Sequence, residues 1–216
     1  MRRWQHRLNA FVIQPLLLLG LVLPAAAVGL EDGKQYRLLN PAVSTETGKN
    51  IEVVELFYYG CPHCYDLEPV ISKWAKSLPK DVRFRQFPAI FRDTWLPLTK
   101  AFYAVDAMGA VEPLHRAIFE AIHKQDLNLT DEKVLFPWVG QQGADQQKFT
   151  ETYQSFAVQS KATRAKELTR AYGITGVPAV VVNGKYLTSS SMAGGHQSLL
   201  NVLDELIKMA RKDQAH

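Results

Sequence analysis

Apolar residues follow two different periods in the segment after residue 50. Residues 51–58 are β-rich and almost continuously apolar, which is typical of a strand buried on both faces. Across residues 64–78 the apolar positions recur every three or four residues and stop at Pro79, so a helix is predicted there. Residues 82–87 alternate and predict another strand. The pattern therefore predicts a strand–helix–strand unit.

A helical period dominates the next part of the chain, where no convincing strand pattern appears. Gly109, Asn128 and Gly143 punctuate the helical stretches. The predicted helices cover residues 95–108, 113–123, 131–141, 145–156 and 160–172. Helices this numerous need apolar surface to bury, so we expect them to form a second lobe with a core of its own.

The β pattern returns after Gly176. Two short apolar runs, residues 179–182 and 185–187, flank Asn183-Gly184, which is a strong signal for a tight hairpin. An amphipathic helix is predicted at residues 196–209, and a further short strand at residues 36–39. The order β-α-β, helical block, β-β-α predicts an α/β fold with a small mixed sheet and a helical insertion.

The N-terminus has the pattern of a cleavable signal peptide. Three arginines and no acid occupy the first seven residues, an apolar run covers residues 16–28, and Ala25-Ala26-Ala27 is a small-residue cleavage pattern. The alternative is a retained membrane anchor, but a run of 13 residues is short against the roughly 20 that a spanning helix needs. We therefore predict export and cleavage near Ala27, with residues 1–27 as the signal.

Removing this segment changes the charge of the chain. The full chain has 25 basic and 21 acidic residues, and the mature chain would have 22 and 21, a net charge of +1. The high isoelectric point is thus largely a property of the signal. A nearly neutral mature chain gives no reason to expect a nucleic acid or an acidic substrate as partner.

The two cysteines of the chain stand three residues apart, in Cys61-Pro62-His63-Cys64. A disulfide between them closes too short a loop to constrain the unfolded chain, so a purely structural bond is the weaker interpretation. A zinc site would need two more ligands. His115 and His123 lie far along the chain, and we expect no metal. The pair points to thiol–disulfide exchange.

The position of the pair at the start of a predicted helix favours a reactive thiolate. Free backbone N–H groups and the helix dipole stabilise negative charge at Cys61, and Pro62 suits the first helical position. His63 places an imidazole beside the Cys61 sulfur. Cys64 lies one turn further on and suits the less accessible, resolving thiol. A stabilised reduced form makes the disulfide a stronger oxidant.

Three segments together carry a resemblance to a known family: Glu-Leu-Phe-Tyr-Tyr-Gly-Cys-Pro-His-Cys at 55–64, Gly-Val-Pro-Ala at 176–179 and Val-Asn-Gly-Lys-Tyr at 182–186. The chain resembles the DsbA family of periplasmic thiol–disulfide oxidoreductases. The resemblance implies a thioredoxin fold with a helical domain inserted between the βαβ and ββα halves. It places the thioredoxin-like domain at residues 28–90 and 174–216 and the helical domain at 91–173.

The same resemblance implies roles for the cysteines and for the loop at residues 176–179. Cys61 would be the exposed attacking sulfur and Cys64 its buried partner. The Val177–Pro178 peptide bond would be cis and packed against the cysteines, and the Val177 backbone would pair with an extended substrate. Phe, Tyr and Leu side chains near Cys61 would form an apolar groove.

Two acids would take part in tuning and in proton transfer at Cys64. Glu55 matches the family's buried acid below the active site, and Glu68 is a second acid nearby. The chain departs from the family at Gln86, where a basic partner for the buried acid is expected. A neutral residue there leaves the ionisation of Glu55 open.

The function that the resemblance implies is disulfide donation to newly exported, folding proteins in the periplasm. Reoxidation would come from a DsbB-like membrane quinone reductase, and no cofactor beyond the redox-active disulfide would be needed. A disulfide isomerase or reductase of the same fold is an alternative, but the segment before the first strong strand is too short for a dimerisation domain, so a monomer is expected. A peptide-binding chaperone with vestigial cysteines is the third possibility.

Overall fold

The computed structural model describes residues 29–214, so the predicted signal peptide, residues 1–27, lies outside the described residues. A five-stranded mixed sheet forms the centre of the described part. Its strands are β1 (Arg37–Leu38), β2 (Ile51–Phe57), β3 (Val82–Pro88), β4 (Ala179–Val182) and β5 (Tyr186–Thr188). The predicted strands are confirmed, and no strand end differs from its predicted position by more than one residue.

The strand order is β1-β5-β4-β2-β3, which puts β2 at an interior position. β2 runs parallel to β3 and antiparallel to β4. All seven residues of β2 are buried, as its continuous apolar run predicts. The parallel register places Glu55 of β2 directly beside Gln86 of β3, and this pairing brings a carboxyl and an amide together below the cysteines.

The helices also follow the predicted order. They are α1 (Pro62–Ala75), α2 (Leu96–Ala107), α3 (Val111–His123), α4 (Glu132–Gln141), α5 (Gln146–Gln154), α6 (Phe156–Ala171), α7 (Ser190–Ala193) and α8 (His196–Gln214). A 3₁₀ turn, Asp93–Trp95, precedes α2. Within residues 29–214, the structure contains no helix with the length and apolar character to cross a membrane.

Three helix boundaries differ from the sequence-based expectation by three residues or more. α1 ends at Ala75, three residues before the predicted end. α6 begins four residues before the predicted start, because the Ser155 hydroxyl accepts a hydrogen bond from the Val158 N–H and caps the helix there. α8 continues to Gln214, beyond the last apolar position of its pattern. The short helix α7 has no apolar period and is not predicted.

The two faces of the sheet are covered by different helices. One cluster of buried side chains joins α1 and α8 to residues such as Val53 and Val180. The other joins α2–α6 to Val54, Leu56 and Val181. The helices between β3 and β4 therefore share a continuous core with the sheet instead of closing one of their own. The domain boundaries at residues 90–91 and 173–174 stay a prediction.

The β4–β5 hairpin turns at Asn183 and Gly184, as the dipeptide predicts. Both have positive φ, 51° and 64°. A Cβ on Gly184 would lie 1.8 Å from the carbonyl oxygen of Val43. The Val43 N–H donates to the Gly184 carbonyl at 2.8 Å. Only glycine permits this backbone approach, which ties the loop before β2 to the hairpin.

Candidate active site

The cysteine pair lies where β2 passes into α1. Cys61 is the N-cap of α1 and Pro62 occupies the first turn, where its missing N–H is no loss. Cys61 is half-buried and Cys64 has no exposed surface, and both are free thiols. The structure therefore describes the reduced state, with the accessible and the covered sulfur in the predicted places.

The environment of Cys61 favours the thiolate and lowers its pKa to about 6. The largest contribution is a hydrogen bond from the Cys64 thiol, which outweighs the effect of burial. Backbone N–H groups of Cys64 and His63 add to it, and the charge of His63 adds least. Backbone N–H groups at the helix N-terminus contribute in the predicted direction, and the tuning role of His63 stays a prediction.

The environment of Cys64 has the opposite effect. Burial, followed by the hydrogen bond to Cys61 and the charge of Cys61, raises the pKa of the Cys64 thiol far above its usual value, and the charge of Glu55 raises it further. Cys64 thus keeps its proton where Cys61 loses one. The pair provides one nucleophile and one adjacent proton donor.

The loop before β4 lies directly against Cys61. The Val177–Pro178 peptide bond is cis, as the resemblance implies, and the Cys61 thiol donates to the Val177 carbonyl with an Sγ–O distance of 3.5 Å. Proline has no N–H to leave unpaired at the start of the strand. The edge of this loop is therefore within reach of any group bonded to the Cys61 sulfur.

A cavity of about 700 Å³ extends from His63 along this loop. Its apolar surface comes mainly from Ile174, Val177, Pro178, Ala179, Leu187 and Met192, and its polar rim includes Ser189, Ser190 and His196. Among the described residues that line this cavity, Leu187 is the one Phe, Tyr or Leu, so the groove of Phe, Tyr and Leu side chains expected near Cys61 stays a prediction.

The aromatic side chains beside the cysteines are engaged elsewhere. Tyr58 stacks on Trp95 with ring centroids 3.9 Å apart, and Tyr65 stacks on His123 with centroids 5.0 Å apart. These contacts pack the start of α1 against α3 and the turn before α2. The cavity of about 700 Å³ beside His63, called the groove below, is lined instead by branched side chains and by the thioether of Met192.

Two buried carboxyls lie below the cysteines. Glu55 and Glu68 are 1% and 6% exposed. The Gln86 side-chain nitrogen lies 3.1 Å from Glu55 Oε2 and 3.0 Å from Glu68 Oε2. Burial and then the charge of Glu68 raise the pKa of Glu55 to about 8. The acid that is close enough to affect Cys64 therefore holds a proton at neutral pH.

Glu68 is the charged member of the pair. Burial alone would raise its pKa, but hydrogen bonds from His115, Ser72 and Gln86, together with the charge of His115, hold the pKa below its usual value. Two like charges in one buried site cannot both be stable. Glu68 receives more hydrogen bonds than Glu55, and for this reason Glu55 holds the proton and Glu68 is the ionised carboxyl.

His115 is a member of this site that sequence reasoning missed. Its Nε2 lies 3.2 Å from Glu68 Oε2 and its Nδ1 lies 2.8 Å from the Tyr59 hydroxyl. The sequence analysis weighed His115 only as a zinc ligand. The available signal was a histidine on the apolar face of α3, beside the buried Leu114. Within the described residues, no cluster of three or more His, Cys, Asp or Glu is arranged to hold a metal ion.

Comparison with known proteins identifies close relatives over most of the chain. A family profile described as a DSBA-like thioredoxin domain matches residues 86–206. The thiol:disulfide interchange protein DsbA of Pseudomonas syringae pv. tomato is 44% identical over 186 residues, which are 86% of this chain and 87% of that protein. The protein of the same name from Burkholderia cepacia is 41% identical over 188 residues, 87% of this chain and 88% of that one.

Solved structures agree with these relatives. The crystal structure of Pseudomonas aeruginosa DsbA superposes with a TM-score of 0.83 at 41% identity, covering 85% of this chain and 96% of that chain. The crystal structure of reduced DsbA1 from Neisseria meningitidis superposes with a TM-score of 0.78 at 34% identity, covering 87% of this chain and 98% of that chain. Fold and sequence therefore agree on one family.

Proposed function

This chain belongs to the DsbA family of thiol:disulfide oxidoreductases, and we propose that within it the chain is a net oxidase, which donates the Cys61–Cys64 disulfide to newly exported proteins. The observation that carries this direction is the stabilised thiolate of Cys61, whose pKa is lowered to about 6. Whatever stabilises the reduced form makes the disulfide more oxidising. Pro62 and His63 contribute by position and by backbone geometry.

The proposed reaction has two exchanges. A substrate thiolate attacks Cys61 Sγ and forms the mixed disulfide, while the Cys61–Cys64 bond breaks and its electron pair goes to Cys64 Sγ. Glu55 gives its proton to Cys64 and becomes a carboxylate. A second substrate thiolate then attacks the substrate's own sulfur in the mixed disulfide. The substrate leaves with a disulfide, and Cys61 leaves as the thiolate that its environment stabilises.

Substrate binding is assigned to the groove along Val177 and Pro178. The backbone of Val177 lies at 3.5 Å from the Cys61 sulfur, where it can pair with an extended chain whose cysteine has reacted. The branched apolar walls suit the side chains that unfolded proteins expose. We expect little sequence selectivity from such a surface.

The setting of the reaction is part of the proposal. The signal pattern at residues 1–27 and the family both support the periplasm, and reoxidation is assigned to a DsbB-like membrane quinone reductase. We propose that the chain works as a monomer, and that the disulfide itself is the redox group. The electrons stay on sulfur in each step, so neither an organic cofactor nor a metal is required.

The direction of net transfer is tested by the redox equilibrium of Cys61 and Cys64 with glutathione. Intrinsic tryptophan fluorescence of the protein follows the ratio of the two states. We expect a reduction potential well above the roughly −270 mV of thioredoxin. A thioredoxin-like value would contradict the oxidase assignment and would favour the reductase or isomerase alternative.

Replacing Glu55 with Gln is expected to stabilise the reduced protein at high pH. The pKa of Glu55 is raised from 4.5 to about 8, so the folded protein keeps a proton that the unfolded chain has already released. The contribution of Glu55 to stability is then fully present below about pH 4.5 and is lost as the pH rises to about 8. Glu55→Gln should leave stability unchanged below that range and raise it by on the order of a few kcal/mol above it.

Chemical denaturation at a series of pH values measures this effect, and Glu52→Gln is the matched control. Glu52 lies on the same strand, is 1% exposed and accepts from Arg85 Nη1 at 2.9 Å. Its loss removes the buried carboxylate of an ion pair with the partly exposed Arg85 and should destabilise the protein. If Glu55→Gln also destabilised the protein above pH 8, Glu55 would not be the acid that holds a proton.

A further inference from the structure

The buried imidazole of His115 contacts Glu68, one of the two buried acids below the cysteines. Its Nε2 lies 3.2 Å from Glu68 Oε2 and 3.0 Å from the Gln86 side-chain nitrogen, and its Nδ1 lies 2.8 Å from the Tyr59 hydroxyl. The imidazole is 4% exposed. Every polar atom of His115 therefore has a partner inside the protein.

Counting hydrogens shows which states of His115 fit these partners. The Gln86 nitrogen carries two hydrogens, and it donates them to two carboxyl groups, those of Glu55 and Glu68. His115 Nε2 must then bear a hydrogen of its own, which it donates to Glu68. Nδ1 can either accept from the Tyr59 hydroxyl or, when protonated, donate to it, because a hydroxyl can fill both roles.

The site therefore accommodates His115 with a hydrogen on Nε2 alone or with a second hydrogen on Nδ1, and no heavy atom has to move. Tyr59 itself does not release a proton, because burial and then the Glu68 charge raise its pKa well above the ordinary value. Glu68 and Glu55 both accept from the same nitrogen of Gln86. A proton that arrives on His115 lies one hydrogen bond from this carboxyl pair.

A separate cavity connects His115 to the surface between α1 and α3. Its volume is about 350 Å³, and Glu68, Ser72, Gln86 and His115 line its inner part. No residue is common to this cavity and to the substrate groove among the described residues that line the two. A substrate seated along Val177 covers the groove and leaves the second cavity open.

We propose that His115 is the point at which solvent protons enter the active site while substrate occupies the groove. This inference rests on the proposed proton transfer from Glu55 and deepens it. When Cys64 Sγ has taken the electron pair of the broken disulfide and the proton of Glu55, one proton is missing from the acid pair. A proton from water or a buffer acid in the cavity passes to His115 and from it to Glu68, the acid that His115 contacts, and so restores the original total charge of the acid pair.

His115 acts through the acids and is a positioning residue, since it does not touch the sulfur. The charged and titratable groups around it come from three elements or their ends. β2 contributes Glu55, and Tyr59 follows that strand. Glu68 lies on α1 and Lys76 at its end, while Glu112 and Arg116 lie on α3 itself. β3 contributes the neutral Gln86. Lys76 and Glu112 pair at 3.0 Å on the exposed rim, so the imidazole is the group that faces the acids.

The test uses the oxidised full-length mature protein and a synthetic dithiol peptide. Single-turnover reduction of the disulfide is followed by tryptophan fluorescence from about pH 6 to about pH 9 for wild type, His115→Gln and His115→Ala. We expect both variants to be about tenfold slower at neutral pH. Free imidazole in the buffer should restore most of the rate of His115→Ala, because the truncation leaves space next to the cavity.

His123→Ala is the matched control. His123 ends the same helix and its Nε2 lies 2.8 Å from the Tyr59 carbonyl oxygen, but no hydrogen bond joins it to the acids among the described residues. Its single-turnover rate should equal that of wild type and should not respond to imidazole. Thermal unfolding of each variant shows that the compared proteins are folded.

The possible results separate this inference from the proposed function. Wild-type rates in both His115 variants would overturn it, and so would slow variants that imidazole does not rescue and whose pH profile keeps the wild-type shape. Rescue by imidazole together with a displaced pH profile would support it. A wild-type protein that does not oxidise the peptide would contradict the proposed function, whatever the variants do.

Discussion

Cys61→Ala is expected to lose disulfide transfer completely. Cys64 cannot replace it, because that thiol has no exposed surface and its pKa is raised far above the usual value, so it provides neither access nor a thiolate. Oxidation of a reduced, unfolded substrate, followed by thiol counting, should proceed at the rate without enzyme. The protein should remain folded, since a half-buried thiol at a helix N-cap contributes little to the core.

The same variant separates enzyme from chaperone. A peptide-binding chaperone with vestigial cysteines would keep its function in Cys61→Ala, because the groove along Val177 and Pro178 stays intact. Suppression of aggregation, measured beside the oxidation of the same substrate, distinguishes the two. Full biological activity of Cys61→Ala would contradict the oxidase assignment.

Cys64→Ala is expected to end turnover in a different way and to raise the pKa of Cys61. Without a partner thiol no internal disulfide can form. After Cys61 attacks glutathione disulfide, the mixed disulfide with glutathione should therefore persist. Mass spectrometry of the protein would show it. The Cys64 hydrogen bond is the largest cause of the lowered pKa of Cys61. Its loss should move the pKa from about 6 toward 9.

Cys64→Ser is the matched control for that shift. The serine hydroxyl can still donate to the Cys61 thiolate, although it cannot form a disulfide. Titration of the thiolate absorbance should therefore give a lower pKa for Cys64→Ser than for Cys64→Ala. Equal values in the two variants would mean that the backbone N–H groups of the helix N-terminus dominate, and that the Cys64 thiol does not.

Gln86 stands where the resemblance to the family leads us to expect a base, and this neutral side chain has a structural consequence. The sequence shows a neutral residue beside the buried acid and leaves the ionisation of Glu55 open. In the structure the amide serves Glu55 and Glu68 at once, and the imidazole of His115 approaches Glu68 from α3. The hydrogen-bond partner that the strand lacks is thus provided by a different element, and it acts on the second acid.

Much of the fold could be predicted because each element carries its own signal. The buried run of β2, the period of α1 and the Asn183-Gly184 turn are local patterns, and the structure confirms them. The signal fails where a boundary depends on a single hydrogen bond, as with the Ser155 cap of α6. It fails also where packing decides, as with the helices that share the core of the sheet.

The sequence by itself determined the chemistry of this protein. Two thiols three residues apart, at the start of a helix, form a redox pair through local geometry alone, and the motif around Val177 identified the loop that contacts them. Only the tertiary structure decided which buried groups lie together below the pair. Glu55, Glu68, Gln86 and His115 come from four elements. The pKa values of Glu55 and Glu68 depend on burial and on hydrogen bonds that exist only after β2, α1, β3 and α3 have packed together.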